Sequence, residues 1–195
     1  MRTMLVALLS LVLFSSIAQA ETYNTRLLLH GHKTVGEGFG VAGWVIAPNI
    51  TSVPNKWVTL VGPCYDGQGW GVELLAGAVV SGGESKFLVD VRITFTPKFF
   101  GIPLNTWHNF QWIRTGGSGT GYWYGQVDWV LPLGLGLLGT ETENTFNVSG
   151  NDWSVAPHVV ISFGDHFALV FAPQAHFNAR GYTGTQAWVR TVVSH

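Results

Sequence analysis

The chain has 195 residues, a formal net charge of −1 and only 11% charged residues, well under the ~25% usual in soluble domains. Near-neutral charge with no basic cluster excludes an electrostatic nucleic-acid binder. A single cysteine, Cys64, excludes an internal disulfide framework, and its sequence neighbours include no cation that would activate a thiol.

Residues 1–20 read as a secretory signal peptide. Arg2 precedes the apolar run Leu5–Phe14, and Ala18-Gln19-Ala20 is a small-residue cleavage triplet. The run is short for a spanning helix. This predicts two parts, a signal peptide over 1–20 and one domain over 21–195, with the mature chain starting at Glu21.

Beyond residue 20 no window carries a sustained helical stripe of apolar residues. Short β-branched and aromatic runs alternate instead with Gly, Pro, Asn and Ser clusters. Eleven strands are predicted: 25–33, 38–47, 56–62, 69–80, 86–96, 105–114, 121–131, 135–143, 153–163, 167–178 and 185–194. The first has the weakest pattern and the third is short. The clearest is Phe87–Thr96. Phe87, Val89, Val91, Ile93 and Phe95 occupy one face, and Leu88, Asp90, Arg92, Thr94 and Thr96 the other. About ten such residues also suffice for one strand to cross a bilayer.

The connections add to this. Phe163–Phe167 predicts a three-residue hairpin loop that sets Phe163 opposite Phe167. Leu131-Pro132-Leu133-Gly134 predicts a short turn. The polar stretch Thr142–Asp152 and the Gly-rich stretch Thr115–Gly121 predict longer loops. Alternating short turns and long loops is the asymmetry of outer-membrane barrels. Gly40, Gly43, Gly69, Gly71, Gly77, Gly125, Gly134 and Gly136 fall in or beside strands, where glycine permits bending and leaves room for large side chains.

On these features the chain resembles the small outer-membrane β-barrels of Gram-negative bacteria. The features are the leader ending at Ala20, the Phe87–Thr96 alternation, the strand–turn–strand run Tyr122–Glu143 and three closing strands over Val155–Val193. The resemblance implies an all-β fold, a single antiparallel up-and-down transmembrane β-barrel. It also implies the cell outer membrane as location, and outer-membrane lipid and the barrel-assembly machinery as partners. Such proteins usually end on an aromatic residue, whereas this chain ends Val192-Val193-Ser194-His195. An even strand number is the bacterial norm, so eight to twelve strands are expected, with ten preferred over the eleven counted.

A lipid-facing charge is costly. Glu73, Asp90, Arg92, Gln126, Asp128, Gln186 and Arg190 are therefore expected to face the lumen as a polar network, with a narrow polar path as the sharper reading. Seven His supply only pairs, such as His30 and His32, and Asn49-Ile50-Thr51 and Asn147-Val148-Ser149 match the glycosylation sequon. No metal site, cofactor motif or catalytic residue is assigned. His158 and Ser162 are the nearest approach to a nucleophile–base pair.

The sequence thus favours a non-enzymatic barrel with a structural or surface-facing role, with or without a narrow pore. Two alternatives stand beside it. One is a secreted β-sandwich that stacks sugars on its nine Trp; the other is a lipid-modifying outer-membrane enzyme.

Overall fold

A computed structural model describes residues 20–53, 55–130 and 137–195. The leader assigned to residues 1–20 and the turn expected at 131–134, with Gly134 and Gly136, therefore lie outside the described residues, Ala20 excepted.

The strands are β1 (Thr22–Gly36), β2 (Phe39–Ala47), β3 (Lys56–Gly67), β4 (Trp70–Ser81), β5 (Glu84–Phe95), β6 (Lys98–Phe99), β7 (Ile102–Thr115), β8 (Ser118–Val130), β9 (Leu137–Asn147), β10 (Gly150–Phe163), β11 (Phe167–Asn178) and β12 (Gly181–Ser194). Each wall strand pairs with its chain neighbour, β5 pairs with β7, and β1 pairs with β12. The result is one closed sheet of eleven strands, with β6 a two-residue ribbon against β7. Two stacked sheets are not formed, which overturns the sandwich alternative.

All eleven segments read from the sequence are wall strands, so the preference for ten was a misstep. Its premise was that a barrel must close antiparallel, which demands an even count. Here β1 and β12 run parallel, from Thr22↔Gln186 to His30↔Ser194, and an odd count closes. Thr22 and Ser194 consequently lie at opposite ends of the barrel. β1, expected to be the weakest strand, spans Thr22–Gly36, because it is paired on both sides.

The hairpin at Phe163 forms as expected, with Phe163 opposite Phe167 and ring centroids 5.5 Å apart. Glu37-Gly38 and Gly82-Gly83 have positive φ at both positions, the backbone that two-residue hairpins need. The longer loops expected at 115–121 and 142–152 are absent. β7 and β8 are separated only by Gly116-Gly117, and β9 and β10 only by Val148-Ser149. Polarity misled here, since in a wall with a polar interior Glu143 belongs to a strand rather than a loop.

Close approach of β3 and β4 explains one predicted glycine. A methyl group at Gly77 would overlap the Thr59 carbonyl.

The period-two alternation divides the residues into an inner and an outer set. Inside, Leu28, Ala42, Trp44, Ile46, Val58, Leu60, Leu75, Val79 and Leu88 form an apolar cluster on the β1–β5 arc. The β7–β12 arc is polar within, with Asn109, Asp128, Glu141, Ser154, His158, Gln174 and Arg190 buried. Outside, apolar side chains stand on both arcs. Leu29, Val41, Val61, Leu74, Val89, Phe110, Val155 and Ile161 are all exposed.

Candidate functional site

The interior holds two ionic centres. The first is built on β5 and β7. Asp90 and Arg92 are two residues apart on one face, so both point inward. Arg92 donates from Nε and Nη2 to Asp90 Oδ2 at 3.2 and 3.0 Å. Asp90 also accepts from Asn109 and, at 2.8 Å, from Gln111 Nε2; β7 sets Gln111 opposite Asp90 and Asn109 opposite Arg92. Beside this, Glu73 accepts 2.7 Å from Trp44 Nε1 and pairs with His30 at 3.1 Å. His30 in turn stacks on Trp44.

The second centre is built on β8 to β12 and β1. Arg190 grips Glu141 with both terminal nitrogens, at 2.6 and 2.5 Å. Gln174 Nε2 donates to both Glu141 and Glu143, at 2.7 and 3.1 Å. Glu143 also accepts from Arg26 and from the Tyr122 hydroxyl, each at 2.7 Å. His158 lies between two acids, Nε2 2.5 Å from Asp128 and Nδ1 3.2 Å from Glu141. Carboxylate oxygens only accept, so Nε2 donates to Asp128, while Nδ1 approaches Glu141 without making a hydrogen bond. Gln126 completes Asp128 at 2.7 Å.

Gly139 makes this contact possible. It faces inward between Asp128 and His158, and a Cβ there would overlap Asp128 Oδ1 and the Val127 carbonyl and press on His158 Nε2.

Aromatic rings join the centres. The Arg92 guanidinium sits 3.9 Å over Trp44 and 5.6 Å from Trp107. Trp107 packs edge-on to Tyr124. Arg190 lies 5.5 Å from Tyr124 and 5.8 Å from Trp188, and Arg26 lies 4.6 Å over Trp188. Guanidiniums and rings thus form a belt that runs around the lumen from β2 to β1. Each cation rests on a π face, which is favourable once water is removed.

Of the seven residues expected in a lumen network, Asp90 and Arg92 form the first centre, with Glu73 beside it. Gln126, Asp128 and Arg190 belong to the second. Gln186 also faces inward but stands apart, accepting from Asn24 at 2.9 Å, and Asn24 accepts from Asn49 at 2.7 Å. This chain ties the 48–53 loop to the barrel mouth. Asn49 also accepts from the Thr51 and Ser52 amides. Asn147 accepts from Ser149 in the same way. Both sequon asparagines therefore act as turn-formers.

Sequence reading missed Arg26, Asn109, Gln111, Glu141, Glu143 and Gln174. The parity that selected Asp90 and Arg92 also places Asn109, Gln111 and Gln174 inward; it is weakest on β1 and β9, which carry Arg26, Glu141 and Glu143. The suggested His158–Ser162 pair is not formed: His158 Nε2 is engaged by Asp128 and Nδ1 lies beside Glu141. His30 and His32 face the same interior but pair separately with Glu73 and Asp66. Among the described residues, no three His, Cys, Asp or Glu groups converge as a metal site.

A cavity of about 670 Å³ fills the space within the belt. It reaches from Pro48, Asn49 and Val53 at one mouth to Asp66, Ala168 and Val192 towards the other. The chain is thus a closed eleven-stranded β-barrel with a polar, ion-paired interior. No family model, curated protein or solved structure matches it.

Proposed function

We propose that this chain is an integral outer-membrane β-barrel protein, exported by the segment that precedes Glu21. Its role is structural or surface-facing rather than that of a general porin. The observation that carries this reading is the outer wall. Its middle is apolar apart from His108 on β7 and Thr140, Thr142 and Asn144 on β9, and the outward Lys and Arg among the described residues, Lys33 and Arg114, lie near strand ends. Exposed aromatics bound this band. Trp57, Trp112 and Trp153, with half-buried Phe177, lie towards one end, and Phe39, Trp70, Trp129, Phe163 and Phe167 towards the other.

The spacing of the two rings fits a bilayer. Trp153 and Phe163 are ten residues apart on β10, and Phe167 and Phe177 ten apart on β11. At about 3.3 Å per residue and a tilt of about 40°, ten residues give roughly 25 Å of height, the height of the lipid-facing band of such barrels. In water, a band of this size would be an exposed patch large enough to drive association.

A wide channel is disfavoured, because aqueous porins need about 16–18 strands and the belt from Trp44 to Arg26 narrows this lumen. Cell fractionation with heat-modifiable gel mobility tests the proposal. The expected result is recovery with outer membranes, release only by detergent, and faster migration before boiling than after. Recovery as detergent-free soluble protein in the periplasm or medium would overturn it.

A further inference from the structure

We propose that the barrel interior binds one single-chain amphiphile with a carboxylate head, of the long-chain fatty-acid type. Its head lies at Arg92 and its chain in the apolar half of the cavity. The site is internal, so this inference stands whether or not the barrel resides in a membrane.

Three observations converge on that chemistry. The first is a surplus of buried donors. Arg92 is 2% exposed and Trp188 7%, and both line the cavity. Arg92 Nη1 and Trp188 Nε1 have no acceptor among the described residues, although the neighbouring acids are fully engaged. What the interior lacks is acceptor oxygen, and a buried donor without one is costly.

The second is the sign of the wall. Asp90, Asp128 and Glu141 lie behind the guanidiniums and off the cavity surface. Arg26, Arg92, Arg190 and Lys56 lie on it, against Asp66, Glu73 and Glu143. The surface a ligand meets is therefore more cationic than the interior as a whole, and a guanidinium edge matches a carboxylate.

The third is the adjoining apolar row. Leu28, Ile46, Val58 and Val79 are register partners across β1 to β4, with Ile113 packed against them. Trp44, on which Arg92 rests, belongs to the same cluster. Head and tail subsites are thus contiguous. The cavity volume of about 670 Å³ also lies within the range of sites for one small ligand, about 300–1,000 Å³.

Quenching of tryptophan fluorescence by a nitroxide-labelled palmitic acid, on the full chain refolded in detergent, tests the proposal. Trp44, Trp107 and Trp188 line the cavity and report occupancy. Quenching of the outward tryptophans by partitioning rises linearly, so the readout is the saturable component. Heat-modifiable mobility confirms folding of each sample.

The expected result is one saturable site per barrel. It should be roughly tenfold or more weaker for the methyl ester, and likewise for Asp90→Asn/Arg92→Gln, through loss of one charge-assisted hydrogen bond. It should vanish in Val79→Trp, which fills the apolar row and leaves every polar group in place. Val58→Phe serves the same purpose if that variant does not fold. Purely linear quenching of folded wild type, equal binding of acid and ester, or an unchanged site in the filled variant would overturn the proposal. None of these outcomes bears on fractionation, so its failure is distinguishable from failure of the membrane reading.

Discussion

Gly139→Ala is expected to destabilise the barrel by about 2–4 kcal/mol, although it adds a single methyl group. The methyl would occupy space held by Asp128 Oδ1, the Val127 carbonyl and His158 Nε2. Two of these belong to the buried His158–Asp128 pair and the third is backbone of the paired strand β8, so none is the free end of a flexible chain. Overpacking of this kind costs about 1–3 kcal/mol. Forcing His158 off Asp128 forfeits a charge-assisted hydrogen bond worth about 1.5–3 kcal/mol. Loss of glycine freedom in the unfolded chain returns about 0.4–1 kcal/mol. Gly31→Ala is the control. It meets nothing within 4 Å and its backbone is ordinary, so it should be neutral or stabilise by about 0.4–1 kcal/mol. Denaturant titration of both variants, refolded in lipid vesicles and read as a midpoint shift at constant slope, measures the difference. If Gly139→Ala unfolds within about 0.5 kcal/mol of Gly31→Ala, the tight Asp128–His158 packing described above is wrong.

Arg190→Met should cost about 3–5 kcal/mol in the same titration, because buried Glu141 loses both charge-assisted bonds of its guanidinium partner, while Glu143 keeps Arg26. Adding Glu141→Gln should recover part of that loss, and no recovery would count against the pair. Val91→Arg should be the more damaging of two charge insertions on β5. It places a charge on the outer wall, at about 2–4 kcal/mol near a bilayer midplane, whereas Thr94→Arg enters the cavity surface near Arg92, where polar partners exist. The reverse order would mean that the two faces of β5 are inverted.

The sequence made the barrel legible because its alternation is strict where the wall is thin. Phe87–Phe95 is apolar at every odd position, and those residues face outward. It made only half of the interior legible. Glu141 and Glu143 sit at the end of the predicted strand 135–143, where it runs into a stretch rich in Thr and Asn, and a polar strand with few aliphatics offers no apolar face to orient them by. On β9 even the outward face is polar, with Thr142 donating to the Ser154 carbonyl and Asn144 to the Trp123 carbonyl. Periodicity therefore fades on that strand, although its pairing is complete. The closing pair was not legible at all. Parallel register between β1 and β12 is a long-range property, and no local pattern at Thr22–His30 distinguishes a parallel partner from an antiparallel one.

The most direct test of the central claim is the environment of β5. Spin labels placed singly at each position from 87 to 95, in a Cys64→Ala background, report collision with lipid-soluble oxygen and with a water-soluble nickel complex in vesicle-reconstituted protein. The account predicts high oxygen access at 87, 89, 91, 93 and 95, greatest near 91, with low nickel access there and low oxygen access at the even positions. Odd positions that favour the nickel complex, or no period of two, would contradict a wall strand facing lipid.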